Sequence, residues 1–318
     1  MIAKVILNPY SNRWKAKARW PEAETALKAA GVNFELVVSE HPHHVVELAE
    51  LATRQGYSPI IAAGGDGTIG EVVNGMARVL KSETEPLGPL GVIPLGSAND
   101  LVDNLKMPRD LDAAARVIAT GKTRNMDIGS VNGLYFDNNS AMGFEPYVTL
   151  IQQRITLIKG MTRYLLAAVL GVMDKPMWIG TIEWDGGRYD GPILLVTVGN
   201  GPRTGGFYMT PHADLFDGKL TFTYGYTASR LREFALLPKA LKPGKGSYVE
   251  EPEIHEQTAT WIKIHVDSPT PAHVDGEIFT QGIQDLEYHI HPGRLRILLP
   301  EESLFNVDNI NRSGSELN

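Results

Sequence analysis

Three short stretches carry side chains whose types and spacing can do chemistry. The first is IIAAGGDGTIGEVVNGM, Ile60 to Met76, whose glycines at 65, 67 and 70 spell G-x-G-x-x-G after a strand-like apolar run and before a helix-like one. That spacing is used to bring bare backbone against a dinucleotide pyrophosphate, with an acid about 20 residues on to hold a ribose. Asp66 lies between the first two glycines, where it would repel a pyrophosphate, and Pro94 and Leu95 occupy the place of the ribose acid. Consecutive backbone N–H groups at a helix N-terminus nevertheless make an anion nest, and a carboxylate beside them suits a divalent cation. The turn therefore fits nucleotide phosphate and Mg²⁺ together. The second stretch, HVDGEIF, places Asp275 and Glu277 around a glycine. From this segment alone it reads equally as a surface hairpin or as a functional carboxylate pair. The third, PHADLFDGKL, reads locally as a turn at Asp217-Gly218 entering a strand.

Three further segments have plain structural readings. ATGKT, Ala119 to Thr123, mimics a phosphate-binding lysine loop, but Arg116 replaces the glycine that such a loop needs, so Gly121 reads as a helix C-cap. His289 and His291 would share one strand face, as metal ligands require, without a signposted third ligand; a polar strand face is the other reading. RWKAKARW alternates Arg13, Lys15, Lys17 and Arg19 with tryptophans at both ends. A solvated helix and a phosphate or headgroup contact both fit it.

Two kinds of chain must position these residues. Up to about residue 127, strands KVILNP, NFELVVSE, SPIIAAGGD and LGVIPLGSA alternate with helix-like runs at Trp14 to Ala30, His43 to Gln55 and Glu71 to Lys81. This βαβα order predicts a parallel sheet with right-handed crossovers, whose ligands lie at the strand C-termini. After Met126 the turn signals VNG, WDGG and FDGK separate the strand-like runs WIGTIEW, PILLVTVGN, KLTFTYGY, TWIKIHV and LRILLP, with helices around Glu145 to Met173 and Ser229 to Leu241. A β-sandwich domain is expected there. The fold class is thus an N-terminal parallel α/β nucleotide-binding domain, 1–127, and a C-terminal β-sandwich substrate domain, 128–299, with 300–318 packing back on the first or ending in a mobile polar tail.

With 318 residues the chain is long enough for two domains, and its 43% hydrophobic and 21% charged composition is that of a globular protein. A formal charge of −7 argues against nucleic acid as a partner. The absence of cysteine excludes disulfides, thiolate metal sites and cysteine nucleophiles. MIAKVILNPY reads as a first strand rather than a secretion signal. The longest apolar run, Tyr164 to Met173, has about ten residues against the roughly 20 that span a bilayer, so a cytoplasmic protein, at most peripheral at the membrane, is expected.

GGDGTIGEVVNGM with PLGSANDL resembles the catalytic domain of the diacylglycerol kinase and sphingosine kinase family, particularly its soluble bacterial lipid kinases. The resemblance continues through NPYS at Asn8, SEHPHHVVELA with Ser39 where the family usually has threonine, Asp127 of NMDIG, PHADLFDGKL and HVDGE. It implies ATP held by Asn8, Pro9, Ser11, Asn12, Ser39, Gly64, Gly65, Asp66, Gly67, Thr68, Ser97 and Asn99. It also implies catalytic Mg²⁺ organised by Asp66, Asp100 and Asp127, and Glu277 as the base that takes a proton from a lipid primary hydroxyl. A structural metal would be bound by Asp217 and the carbonyls of Asp214 and Lys219. The implied active site lies in the cleft between the domains, and the implied partner is diacylglycerol or a related lipid at a membrane surface, with a homodimer left open. Three positions depart from the family: Gly70 replaces asparagine, Asn12 glycine, and Ser97-Ala98 threonine-glycine. A soluble-substrate kinase of the NAD kinase type and a catalytically weak lipid-binding regulatory protein are the alternatives. Two segments read either as interfacial elements or as a buried amphipathic helix and a solvated loop: Ile155 to Met173, with Lys159 and Arg163, and LLPKALKPGKG, with Lys239, Lys242 and Lys245.

Overall fold

The computed structural model describes residues 2–80, 82, 85–155, 161–174 and 176–301, and within them the chain divides into two compact units. One runs to Met126 and resumes at Gly293; the other is Asp127–Pro292.

The first unit alternates β1 (Ala3–Leu7), α1 (Lys15–Ala29), β2 (Phe34–Val38), α2 (His44–Arg54), β3 (Ile60–Gly64), α3 (Asp66–Ala77) and β4 (Leu87–Pro94), followed by α4 (Asp100–Asn104) and α5 (Leu111–Thr120). Strands β4, β3, β1 and β2 are neighbours in that order and parallel throughout. β3, Ile-Ile-Ala-Ala-Gly, is buried at every position, as a strand covered on both faces must be. Helices α1 and α5 cover one face, where Ala23, Leu27, Ala115 and Ile118 meet Val5, Leu7, Ile61, Ala63 and Ile93. The alternate residues Ile6, Ala62 and Val92 point to the opposite face.

One expected boundary was wrong. Helix α3 starts at Asp66 rather than Glu71, because the glycine turn is itself the first helical turn: Gly65 is the extended N-cap, and the N–H groups of Thr68 and Ile69 already donate to its carbonyl. ATGKT closes α5 as expected, with Gly121 left-handed at φ 65°.

The second unit contains most of β5 (Thr123–Val131), then β6 (Leu134–Phe136), β7 (Asn139–Gly143), α6 (Phe144–Arg154), α7 (Met161–Asp174), β8 (Trp178–Trp184), β9 (Gly187–Ile193), β10 (Leu195–Gly199), β11 (Leu220–Gly225), α8 (Arg230–Leu236), β12 (Ile254–Ala259), β13 (Trp261–Val274) and much of β14 (Glu277–Leu298). Its order is β12-β11-β10-β7-β13-β14, with β8 on β13 and β9 on β8, and these pairings are antiparallel. Phe136, Phe222, Tyr288, Ile262 and Val198 fill the core between the strands. The expected single helix from Glu145 to Met173 is two helices, and residues 156–160, Lys159 among them, lie outside the described residues. So does 302–318, the expected returning or mobile tail.

Strand β14 belongs to both units. Residues 293–298 pair parallel with β4, Leu295 opposite Leu87 and Ile297 opposite Leu90. The second unit therefore ends at Pro292, short of the expected 299.

Candidate active site

In the first unit the polar ends of β1, β3 and β4 are tied together. The Thr68 hydroxyl, buried in the first turn of α3, lies 3.1 Å from Ser11 Oγ and accepts from Asn8 Nδ2 at 3.1 Å. Asn12 Nδ2 donates to the Gly96 carbonyl at 3.4 Å. Pro9 and Ser39 are buried beside this loop system, and the Ser39 N–H donates to the Leu7 carbonyl. A Cβ on Gly65 would lie 3.0 Å from Gly96 Cα, and one on Gly64 would run into the Thr68 side chain. Two loops meet backbone to backbone here, and only glycine allows it.

Asn12, Arg13 and Trp14 are all left-handed, at φ 50°, 55° and 72°. Three such residues in a row are costly for L-amino acids, and asparagine is the non-glycine residue that tolerates this region best. The Asn12 departure thus preserves the backbone conformation that glycine would adopt. Gly70 is buried inside α3, where its carbonyl accepts from Asn74 Nδ2 at 2.8 Å. Ser97 is exposed; Asn99 is buried, left-handed at φ 53°, and donates to the Gly96 carbonyl.

Asp66 Oδ1 accepts the Leu101 N–H at 3.1 Å. Burial, and then the charge of the Asp100 carboxylate, push the Asp66 carboxyl above the usual carboxylate range despite N–H donors from Leu101, Asp66 itself and Asn99. Two carboxylates that repel at the mouth of an N–H-lined turn fit a divalent cation, whose charge would relieve the repulsion. Sequence reasoning missed Arg109. Its guanidinium forks onto Asp103, 2.7 Å to each oxygen, while Nη2 also donates to the Ala98 carbonyl, fixing the Ser97-Ala98 departure from below. A lone arginine in KMPRDL carries no motif, so only the fold exposes its role.

In the second unit Asp127 is buried, and its Oδ2 accepts the Gly218 N–H at 2.6 Å. Its own N–H donates to the Leu215 carbonyl. Asp214 Oδ1 accepts from the Phe216 N–H and Asp217 Oδ1 from the Lys219 N–H. Burial, with Asp214 and Asp127 nearby, holds the Asp217 carboxyl above its usual range against the pull of the Lys219 N–H. This gathers Asp127, Asp214, Asp217 and the Lys219 backbone in one oxygen-rich loop, a donor set that suits a hard cation.

HVDGE is a two-residue hairpin. Asp275 and Gly276, at φ 47° and 83°, form the turn, with Val274 opposite Glu277. The two carboxylates, which an extended strand would have aimed alike, are thereby placed in different environments. Asp275 is buried and accepts three backbone N–H groups, from Asp137 at 3.2 Å and from Asn138 and Asn139 at 3.0 Å. Glu277 is exposed at the start of β14.

The histidine candidates do not join these groups, whereas Arg19 of RWKAKARW donates to the Pro94 carbonyl at the end of β4 at 3.5 Å. His291 Nε2 lies 2.9 Å from Ser130 Oγ, and His289 Nε2 is 3.0 Å from Glu287. Among the described residues His41, His44 and Glu47 cluster closely enough for a metal. The two imidazoles, however, are parallel, 4.3 Å apart and 6° between planes, so their in-plane lone pairs cannot converge on one ion. In RWKAKARW, Trp20 is buried and Trp14 exposed, with Lys15 and Lys17 on the outer face of α1.

Residues 3–131 match the diacylglycerol kinase catalytic domain, and residues 139–299 match the YegS C-terminal NAD kinase beta sandwich-like domain. The chain is 31% identical over 314 residues to a diacylglycerol kinase of Staphylococcus aureus strain MRSA252, covering 97% of this chain and 96% of that one. It is 30% identical over 293 residues to a probable lipid kinase YegS-like of Chromohalobacter salexigens, covering 90% and 91%. Among solved structures, a putative diacylglycerol kinase from Bacillus anthracis superposes with a TM-score of 0.75 at 21% identity, over 95% of this chain and 98% of that one. An NAD kinase from Archaeoglobus fulgidus in complex with ATP superposes at 0.51 with 13% identity, over 98% and 99% of the chains. The fold is common to both.

Proposed function

We propose, for a chain that belongs to the diacylglycerol kinase family of lipid kinases, that it transfers the γ-phosphoryl group of ATP to the primary hydroxyl of diacylglycerol or a closely related lipid. The observation that carries the reading is the turn at Gly64 to Thr68, where bare backbone, a helix N-terminus and the Asp66–Asp100 carboxylates combine what a magnesium nucleotide needs.

In this reading Asn8, Pro9, Ser11, Asn12, Ser39, Gly64, Gly65, Gly67, Thr68, Ser97 and Asn99 form the ATP site. The N–H groups at the start of α3 face phosphate oxygens, and the glycines allow the approach. Asp66 and Asp100 of the first unit, and Asp127 of the second, would hold Mg²⁺ directly or through water, and Asp217 with the carbonyls of Asp214 and Lys219 would hold a bracing metal. The chemistry such a metal would supply there is neutralisation of charge on the phosphates. The lipid hydroxyl oxygen forms a bond to the γ-phosphorus as the bond to the ADP oxygen breaks, and the hydroxyl proton passes to Glu277. Asp275 has its oxygens committed to three N–H groups, which favours Glu277 for that step.

Access to the lipid is provided by α7. Tyr164, Ala167, Ala168 and Val172 face inward, while Leu165, Val169, Leu170 and Met173 are each at least 40% exposed on its outer face. On α8, which packs against α7, Leu231 is 81% exposed. Residues 229–246 carry five basic side chains and one acidic, and Lys242 and Lys245 are exposed. An apolar stripe beside a basic segment fits an anionic bilayer, even on an acidic protein. No described helix is long and apolar enough to cross one.

The test is transfer from labelled ATP to a panel of lipids in mixed micelles, with NAD as a soluble acceptor. A labelled phospholipid is the expected product. Label in NAD but in no lipid would replace the proposal with the NAD kinase-type alternative.

A further inference from the structure

A buried couple that the scheme above leaves unused stands directly behind the hairpin. Glu145 lies in the first turn of α6, brought there by Gly143, which turns the chain at φ 84° and whose Cβ would lie 2.6 Å from the Leu194 carbonyl oxygen. Glu145 Oε1 is 3.0 Å from His273 Nε2, and the two side chains are 12% and 1% exposed. The Thr197 hydroxyl donates to the other carboxylate oxygen at 3.0 Å. On the far side of the ring, the Gly276 N–H donates to His273 Nδ1 at 3.3 Å. An Nδ1 that accepts leaves the proton on Nε2, so the carboxylate selects the tautomer that can hold Gly276.

Gly276 is the second residue of the turn and immediately precedes Glu277. Asp275, the first, is pinned by the N–H groups of residues 137–139. The turn is therefore held on two sides, by a carboxylate at its first residue and an imidazole at its second. A buried ionisable pair is rarely a gain in stability over apolar side chains of the same volume, which directs attention to what this pair orients.

We propose that Glu145 and His273 are positioning residues for phosphoryl transfer: the carboxylate orients the imidazole, the imidazole holds the Gly276 N–H, and the direction in which Glu277 leaves the turn follows. The proposal rests on Glu277 being the proton acceptor. His273→Gln keeps an N–H for Glu145 but offers no acceptor to Gly276; His273→Asn places an oxygen near the Nδ1 position but does not reach Glu145.

His273→Gln is expected to lower kcat about tenfold with KM for ATP unchanged, and His273→Asn to stay within about threefold of wild type, as small misplacements of a reacting group cost rate rather than nucleotide affinity. A purely structural couple would lower the melting temperature in both variants and leave kcat per folded molecule at the wild-type value, which overturns the proposal. Glu277→Gln, assayed beside them, separates the two layers. Wild-type kcat in Glu277→Gln removes the base and with it this proposal; wild-type kcat in His273→Gln beside an inactive Glu277→Gln removes the couple alone. Amide exchange in the wild-type protein decides the matter even where a variant fails to fold. The Gly276 N–H is expected to be protected, and exchange at the free-chain rate would overturn the hydrogen bond on which everything here depends.

Discussion

Asp66 and Asp275 show how one side-chain type takes opposite tasks. Asp66 has its carboxyl pushed up by burial and Asp100, so ionising it costs the protein stability. An acid with a raised folded pKa contributes stability at low pH that is lost as pH rises through that value. Asp66→Asn is therefore expected to melt slightly above wild type at neutral pH, the difference closing on acidification, while turnover collapses and the stabilisation by magnesium nucleotide disappears; calorimetry with and without Mg²⁺-ATP reads all three. Asp275 is the reverse case. Removing its charge with Asp275→Asn should cost about 1–3 kcal/mol of stability through the three N–H groups it serves and, because it pins the turn before Glu277, lower kcat about tenfold, less than loss of the base. Glu277→Gln should leave the melting curve in place and lower kcat by about a hundredfold or more. Denaturant unfolding and initial rates on the same preparations distinguish these outcomes, and an inactive Asp275→Asn with an active Glu277→Gln would exchange the roles. At this scale the sequence was legible wherever one residue type dictates its own use, as with glycine at 64 and 65. The work of Asp275 was not, because its partners lie more than 130 positions away, nor was that of Arg109, whose contacts exist only once α4 and α5 are placed.

Among the elements, the parallel strands and the C-cap glycine of α5, Gly121, were legible from continuous apolar runs and turn residues. The start of α3 was not, since glycines normally argue against a helix and here form its first turn against β3 and β4. Gly96→Ala tests that packing: its Cβ meets Gly65 backbone and Asn99, so about 1–3 kcal/mol of destabilisation and a raised KM for ATP are expected in thermal and kinetic assays. The outer face of α7 is a second element-scale test. Leu165→Ser with Leu170→Ser changes exposed positions and should leave stability within about 0.5 kcal/mol of wild type. Co-sedimentation with anionic vesicles at low salt should fall about tenfold, given the apolar area withdrawn from the bilayer. Undiminished binding would return α7 to an ordinary surface helix.

For the molecule as a whole, the change of texture after Met126 marked the passage from parallel to antiparallel pairing, because alternating runs and Asn-Gly or Asp-Gly turns are local signals. Its other limit was hidden. LRILLP reads as one more β run, and nothing local says that Leu295 and Ile297 pair with β4, more than 200 residues earlier. That pairing bears on how the protein is made. Residues 127–292 form an uninterrupted unit and can fold as soon as they leave the ribosome, whereas the β4 side of the first sheet stays an open edge until residues 293–298 have been synthesised. The half that begins the chain is thus the last to be completed. A chain terminated after Pro292 and released from the ribosome should display a protease-resistant second unit beside a first unit that is still cleavable.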